Sequence, residues 1–467
     1  MLTALAFLSV NFASYFMALF RAPFWGLIAY ANIYFNTPNP RLNWWANYLP
    51  FGRWSLITSA VLLASIAIHW KKTSDHEFSC AKWMPWFFVL SAIVSFTNAL
   101  SPVEAKDHLY LFFTYGLIVF VLIKSITDFE KLRLFLLAIV GLTGWLSVMA
   151  FVYGERVHGR LEGIGTADAN QSNEFALLIA SVLPLVAVFV KSGKWYERAV
   201  SLLALPFIVN AFILCNSRGG MVALVGAIVG ATILVADSQM RKKVILAMIL
   251  AIPAFLYLTD DEFTTRVATL VGIGEAIEDE GIARNLSSGR TEIWLYGLEM
   301  ASDHPLGVGS GGFSELARFY MPDEVLTYHP DAEYGTRSAH NSYLQVLVEQ
   351  GVLGLTLWLG MCAHTVLVLR RSFKLASKQA RDGPLWKEHV FAMNVAFFAV
   401  LLSSMVNSRI YYEFFWWQIA LAVIVYSLLK KAHSVATGDA ESESGKVHLR
   451  RGSHRVAPRL ADSRAGY

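Results

Sequence analysis

The residue best suited to proton chemistry in this sequence is a histidine that opens an apolar run. His340 lies in SAHNSYLQVLVEQGVLGL, residues 338–355, directly before a segment with the apolar content of a membrane helix. An unperturbed imidazole titrates near about pH 6.5 and can therefore accept a proton at physiological pH. We interpret His340 as a candidate base, against the alternative of a helix-capping or interfacial histidine.

Arginines accompany this histidine on the side of the predicted membrane where basic residues are otherwise rare. They are Arg156, Arg160, Arg218, Arg290, Arg337 and Arg409, with His158 between the first two. The planar fork of an arginine binds phosphate through two hydrogen bonds, so converging arginines predict a site for a multiply charged anion. Their charge would also lower the pKa of His340 and keep the imidazole neutral. A single boundary arginine is alternatively explained by snorkelling or by bonds to helix-end carbonyls.

The polar residues that follow His340 form a separate pattern. On a helix, Asn341, Gln345 and Glu349 fall at i, i+4 and i+8 and make one stripe, which we expect to face the bundle interior. Glu349 would lie on the side of the helix opposite His340, because nine residues rotate by about 180° beyond whole turns. Glu349 is therefore not expected to orient the histidine.

Glycine-rich and metal-ligand patterns allow weaker interpretations. In CNSRGGMVAL, the glycines after Arg218 suit either an anion at a helix N-terminus or a tight interhelical turn. HPLGVGSGGF, residues 304–313, lacks the lysine of a Walker motif and a preceding strand, so we do not interpret it as a nucleotide site. His329, Asp331 and Glu333 are a weak alternative for a cation, and we expect no metal.

The composition predicts an all-α polytopic integral membrane protein. Of 467 residues, 55% are hydrophobic and only 16% are charged, and the mean hydropathy is +0.46, whereas soluble domains are about one-quarter charged. Hydrophobic runs approach the roughly 20 residues that cross a bilayer. The twelve predicted spans lie near 2–20, 54–70, 83–100, 108–123, 132–153, 174–190, 199–216, 219–236, 242–258, 342–369, 388–407 and 411–430.

Basic residues orient these spans. The connections rich in Lys and Arg fall on one side, which is then the cytoplasm; they are 124–133, 191–198, 241–243, 370–388 and the tail from Lys430.

The apolar run 22–35 is short for a span. With twelve spans, which we favour, both termini are cytoplasmic, whereas a thirteenth span at 22–35 would place the N-terminus outside. The N-terminal run lacks a basic n-region, so we expect no cleavable signal peptide.

This orientation predicts four regions along the chain. They are an N-terminal transmembrane bundle of about nine spans (1–258), a large periplasmic loop domain (259–340), C-terminal transmembrane helices (341–430) and a disordered cytoplasmic tail (431–467). Within the loop we predict a helix over 291–304. Its inward-facing residues are expected to be Ile293, Leu295, Leu298 and Ala301.

Taken in order, the motifs resemble those of the O-antigen ligase and polymerase superfamily, over roughly residues 150–430. His340-Asn341, nine residues, then Gly351 and Gly354 match its H-[N/S/Q]-x9-G-x-x-G motif. SSGRTEIW…HPLGVGSGGF resembles its S-G-R…H-P-L-x-G-x-G-x-x-F block, and NSRGG resembles its S-R-G/S element. GRLEGIGTADANQSNEFA resembles its R-x-x-G…N segment, with two extra residues before Asn170.

The resemblance implies a GT-C-like membrane glycosyltransferase that uses undecaprenyl-pyrophosphate-linked glycans. His340 would activate or position the acceptor hydroxyl. Arg218 and Arg290 would bind the pyrophosphate, helped by Arg160 and Arg337 and more weakly by Arg156 and Arg409. The implied reaction is inverting and metal-independent and takes place at the periplasmic face of the bacterial inner membrane. We expect no cofactor and no nucleic-acid partner; membrane lipid surrounds the protein.

Several acceptors and one other function remain possible at this point. A ligase passes the glycan to lipid A–core, a polymerase to another lipid-linked repeat, and a third group to protein. The N-terminal FRAPFWGLIAYANIYFNTPNPRLNWW also resembles O-glycosylation ligases associated with exosortase systems. One large periplasmic segment late in the chain favours the ligase. A flippase or transporter of lipid-linked sugars would also use arginines, but it should carry ionisable residues deep in several spans.

Overall fold

The computed structural model describes most of the chain. It covers residues 2–40, 43–157, 159–166, 168–169, 171–258, 290–328, 334–379 and 383–452. Some sequence predictions lie outside these residues. They are His158, Asn170, the first part of the loop domain (259–289), the candidate cation ligands (329–333) and the end of the tail (453–467).

The described chain is built from helices and one short hairpin. The helices are α1 Leu2–Phe20, α2 Pro23–Phe35, α3 Trp54–Ile68, α4 Trp83–Asn98, α5 Pro102–Ser125, α6 Phe129–Tyr153, α7 Ser172–Ser192, α8 Trp195–Leu214, α9 Arg218–Leu234, α10 Ser238–Leu258, α11 Arg290–Asp303, α12 Gly312–Tyr320, α13 Ser342–Lys378, α14 Gly383–Ser403 and α15 Glu413–Gly452. Between α6 and α7, β1 (Glu155–Val157) pairs antiparallel with β2 (Arg160–Glu162).

The prediction of an all-α polytopic membrane protein is confirmed. Within the described residues, nine helices are long and apolar enough to cross a membrane, and two shorter apolar helices, α3 and α9, accompany them. Each of the twelve predicted spans coincides with a helix. The predicted loop helix is present as α11, with Ile293 and Ala301 buried; Leu295 and Leu298, which we expected to pack inward, are exposed.

The predicted grouping of the basic connections is confirmed by their contacts. At one end of the bundle, Lys191 and Lys243 approach Glu388, and Lys387 pairs with Asp237. Lys430 pairs there with Glu77. We call this the basic end. The opposite end carries the β-hairpin, α11, α12 and the start of α13, and we call it the site end.

The direction of the first three helices differs from the favoured twelve-span arrangement. Tyr15 bonds to Thr58, and Ser65 donates to the carbonyl of Ala18, so α1 and α3 run parallel. The chain can do this only because α2 returns from the end of α1 to its beginning. The first residues of α1 therefore lie at the site end with residues 43–53. The start of α1 and the segment after Lys430 thus lie at opposite ends of the bundle.

The last helix also differs from the prediction. We expected a disordered tail from residue 431, but α15 continues as a helix through Lys431 to Gly452. Its apolar part is long enough to cross a membrane and ends near Ala436.

A backbone interlock joins the loop domain to the transmembrane helices. Gly351 has a non-helical conformation, with φ 68° and ψ −172°, and breaks α13. At this break the N–H of Gly309 donates to the carbonyl of Glu349 (2.9 Å), and the N–H of Val352 donates to the carbonyl of Pro305 (3.1 Å). The glycine-rich loop and the glycine motif of α13 therefore bind each other directly through these backbone bonds.

Glycine is required on both sides of this interlock. A Cβ atom at Gly307 would lie 2.6 Å from the Glu349 carbonyl oxygen, and one at Gly351 would lie 2.5 Å from the Pro305 carbonyl oxygen. Both residues also have positive φ, which side chains disfavour. Gly351, the first glycine of the G-x-x-G part of the motif, therefore permits the close approach of a loop.

The loop's remaining amides are also bonded within the protein. The N–H groups of residues 308 to 311 donate in turn to the Val348 carbonyl, the Glu349 carbonyl, the Ser95 hydroxyl and the Tyr411 hydroxyl. Amides that are already paired cannot cradle a phosphate. The segment 304–313 is therefore a structural lock, in agreement with the interpretation that it is not a nucleotide site.

The parallel arrangement of α1 and α3 predicts which engineered cysteines are accessible to a thiol reagent from the same side of a membrane. A cysteine at position 2 and one at Gly52 should react together with a membrane-impermeant thiol reagent, and one at Lys242 should react only from the other side. The three native cysteines are buried and give a low background. Labelling of Leu2→Cys from the same side as Lys242→Cys would contradict the arrangement.

The interlock predicts a large loss of stability for Gly307→Ala. The left-handed backbone alone should cost roughly 1–3 kcal/mol, and the contact with the Glu349 carbonyl adds to it. Thermal unfolding of the detergent-solubilised protein measures the effect. Gly52→Ala is the matched control because nothing lies within 4 Å of a Cβ there; equal melting temperatures for the two variants would refute the interlock.

Candidate active site

His340 stands at the site end in an unusual backbone conformation. Its φ is 47°, in the left-handed region that non-glycine residues rarely occupy. Ala339, directly before it, is 1% exposed, and Ser342, two residues after it, is buried with its side chain bonded within the protein. The imidazole itself is half-buried. A strained residue held between two fixed neighbours is typical of a functional site.

The environment of His340 favours the neutral imidazole. Burial and the positive charges of Arg290 and Arg337 lower the pKa of His340 from 6.5 to about 4. The sequence predicted this direction from the arginines. Burial is the larger cause, and no sequence pattern indicated how deeply the ring would sit.

Three of the predicted arginines converge from distant parts of the chain. Arg290 begins α11, Arg160 lies on β2, and Arg218 begins α9. Burial lowers the pKa of the Arg290 guanidinium, and the neighbouring charges of Arg160 and Arg218 lower it further. Like charges at this proximity repel one another, and an anion bound between them would relieve the repulsion.

The hairpin and the start of α9 are joined by a residue that the sequence analysis did not single out. The Asn173 side-chain oxygen accepts bonds from the Arg160 guanidinium (2.5 Å) and from the Ser217 hydroxyl (2.9 Å). Ser217 in turn caps α9 by accepting from the N–H of Gly220. Asn173 lies in the segment that resembles the family's R-x-x-G…N element, three residues after the asparagine that we matched to it.

Asp168, in the same segment, anchors the loop to the bundle. Its carboxylate accepts from the Tyr34 hydroxyl (2.7 Å), the Thr166 hydroxyl (2.7 Å) and the backbone N–H of Glu413 (2.7 Å). The loop that carries Arg160 is therefore tied to both α2 and the start of α15.

The other predicted arginines have different surroundings. Arg337 adjoins His340 and donates to the Thr327 hydroxyl (3.0 Å), while its Nε atom is buried and has no hydrogen-bond partner among the described residues. Arg156 is exposed on β1, opposite Leu161, and no contact among the described residues links it to Arg290.

Arg409 is directed into the bundle and away from the cluster around Arg290. Its guanidinium donates to the Glu174 carbonyl (3.2 Å) and lies 4.5 Å from the centre of the Tyr412 ring. Its backbone N–H donates to the Ser342 hydroxyl (2.6 Å). These contacts give Arg409 a structural role: it supports Ser342, which lies two residues after His340.

The predicted polar stripe is divided in the structure. Asn341 precedes α13 and caps it, accepting from the N–H groups of Tyr343 and Leu344, so it is not part of an inward helical face. Gln345 and Glu349 are buried and bonded to each other (2.9 Å), and Glu349 also accepts from the Tyr411 hydroxyl. As predicted, Glu349 does not contact His340. It instead stabilises the interlock, because the Tyr411 hydroxyl that donates to Glu349 also accepts from a loop N–H.

Among the described residues, no group of three or more His, Cys, Asp or Glu side chains could hold a metal ion. The side chains that surround His340 are cationic donors. This donor set suits phosphate groups and does not suit a metal ion.

Comparison with known proteins gives one family match. Residues 199–359 match the family model described as O-antigen ligase. This range includes Arg218, Arg290, Arg337 and His340, whereas Arg156, Arg160 and Arg409 lie outside it. No curated protein matches the chain significantly.

One of the solved structures that match is titled "Structural coordination of polymerization and crosslinking by a peptidoglycan synthase complex". It is 15% identical to this chain, with a TM-score of 0.41, and the match covers 75% of this chain and 97% of that one. The family match and the apolar helices together describe a multi-pass membrane protein. The match over residues 199–359 supports the resemblance of this chain to the O-antigen ligase and polymerase superfamily.

Proposed function

We propose that the protein is an O-antigen ligase-type glycosyltransferase. It transfers a glycan from undecaprenyl pyrophosphate to lipid A–core at the periplasmic face of the inner membrane, with inversion and without a metal ion. The observation that carries this proposal is the convergence of Arg160, Arg218 and Arg290 beside a neutral, half-buried His340. The family match supports it, because it covers His340 and two of these three arginines.

The arginines are suited to the leaving group. When the bond between the sugar's anomeric carbon and the pyrophosphate oxygen breaks, negative charge develops on the lipid pyrophosphate. Guanidinium groups that already lie together stabilise that charge without reorganising. Arg337 can add a bond, because its Nε has no hydrogen-bond partner in the part of the chain that the structure describes.

His340 is suited to the acceptor. The acceptor hydroxyl attacks the anomeric carbon from the face opposite the pyrophosphate, and its proton passes to a neutral imidazole nitrogen. In the free protein His340 is neutral but weakly basic, since its pKa is about 4. A pyrophosphate bound at Arg290 and Arg337 would oppose their charges and raise this pKa, so the donor itself would make His340 a better base.

This electrostatic coupling predicts a difference between two pH profiles. The acid limb of kcat/KM reports the free enzyme and should lie near the low pKa of His340, whereas the acid limb of kcat reports the donor complex and should lie at higher pH. Initial rates of glycan transfer between pH 4 and pH 8, at limiting and saturating donor, measure both limbs. A kcat limb at or below the kcat/KM limb would contradict the coupling.

We expect His340→Ala and Arg290→Ala each to abolish glycan transfer while the protein still accumulates in the membrane. Loss of a single positioned acid–base group or oxyanion donor typically costs about 10²–10⁴-fold in rate. Arg198→Ala is a matched control, because Arg198 is exposed and donates to the Lys191 carbonyl near the basic end. Full transfer by both site variants would overturn the catalytic assignment.

The acceptor is tested by reconstitution with a lipid-pyrophosphate glycan and three separate acceptors. We expect product with lipid A–core. Product only with a second lipid-linked repeat would identify a polymerase, and product only with a pilin-like protein would identify a protein glycosyltransferase. Movement of the lipid-linked glycan across the bilayer without bond transfer would identify a transporter.

A further inference from the structure

We propose that Trp294 is the positioning residue for His340. This inference rests on the proposed function, since it concerns how the candidate base is held. The Trp294 indole N–H donates to the carbonyl of Ala339 (3.1 Å), the residue directly before the histidine. No feature of the sequence indicated this bond, because the two residues are 45 positions apart.

A strained residue needs an anchor on each side. In the left-handed region, His340 would relax toward an extended or right-handed backbone unless its neighbours were fixed. Trp294 fixes the preceding peptide. The following side is fixed by Ser342, whose N–H donates to the Ser404 carbonyl (2.7 Å) and whose hydroxyl donates to the Asn407 carbonyl (2.9 Å).

The preceding anchor also links the base to the anion cluster. Trp294 and Arg290 are four residues apart on α11, so they lie on the same face of one helix. One rigid element therefore sets the position of the arginine and, through Ala339, that of the imidazole. α11 and its bond to Ala339 therefore fix the distance between Arg290, which would hold the pyrophosphate, and His340, which would receive the proton.

The alternative is that Trp294 only packs the loop domain. Its ring contacts a small cluster of buried residues that includes Ile293, Phe313 and Leu344. Phenylalanine retains most of this apolar contact and lacks the N–H donor. Trp294→Phe therefore separates the hydrogen bond from the packing.

The matched control is Trp416→Phe. The Trp416 indole N–H also donates to a backbone carbonyl, that of Ile410, at the same distance of 3.1 Å. Trp416 is fully buried, and its acceptor lies outside the peptides that flank His340. Both variants lose one indole-to-carbonyl bond, and only the first loses a bond to the peptide directly before the histidine.

Two readouts test the proposal. For Trp294→Phe we expect kcat to fall by roughly 10- to 100-fold with little change in donor KM, as for a misplaced catalytic group. The acid limb of kcat/KM should also move up from the low pKa of His340 toward about 6.5, because a ring released from its pocket loses both causes of the lowered pKa. Trp416→Phe should leave the pH profile at its wild-type position.

The second readout does not depend on transfer. Diethyl pyrocarbonate modifies neutral imidazole, and peptide mass spectrometry gives the rate at His340. This rate should rise in Trp294→Phe and stay at the wild-type value in Trp416→Phe. An unchanged pH profile together with an unchanged modification rate in Trp294→Phe would overturn the positioning role.

A second pair of variants covers the case in which Trp294→Phe does not accumulate. Ser342→Ala removes the hydroxyl bonds of the anchor on the other side and should show the same two changes, whereas Ser342→Thr keeps a hydroxyl and should restore both. Failure of the proposed function is distinguishable from failure of this proposal. If His340→Ala transfers glycan normally, the function assignment fails; if only Trp294→Phe and Ser342→Ala behave as wild type, the positioning role fails alone.

Discussion

The arrangement of the site end depends on one constraint, which is that buried backbone groups must be hydrogen-bonded. The break of α13 at Gly351 interrupts the helical ladder and leaves carbonyls such as that of Glu349 without helical partners. Loop amides supply the missing donors at Glu349 and its neighbour. Because α11 leads directly into this loop, the interlock also determines where Arg290 and Trp294 lie, and through them the surroundings of His340.

The interlock also explains how a structure can hold like charges together. Arg160, Arg218 and Arg290 come from a hairpin, a membrane helix and a loop helix, and each segment is fixed by bonds that do not involve the other arginines. Asn173 joins the first two segments, and the lock at Gly309 holds the third. The repulsion is therefore balanced by bonds elsewhere, and binding an anion would relieve it.

Much of the fold was predictable from hydrophobic runs, and the order of motifs indicated a family resemblance that the match over residues 199–359 supports. The orientations of individual side chains were not predictable from the sequence. Leu295 and Leu298 have the spacing of a buried helical face, yet both are exposed, because α11 turns the side with Ile293 and Met300 toward the loop cluster. Asn341 has the spacing of the Gln345 stripe, yet it precedes the helix and caps it. Periodicity predicts which side chains face inward only when the first residue of the helix and the elements packed against it are known.

The same limit applies to the site. Arg409 and Arg290 look alike in the sequence, since each lies at a boundary near the site end, and their roles differ only through tertiary contacts. Arg409 faces the Glu174 carbonyl and the Tyr412 ring, and its backbone supports Ser342, whereas Arg290 faces two other arginines. Arg409 is held by acceptors of the fold, whereas Arg290 lies beside two other cations and is available to an anion. The charge of the neighbours therefore distinguishes these two arginines, and together with burial, the larger cause, it accounts for the weak basicity of His340 before a donor arrives.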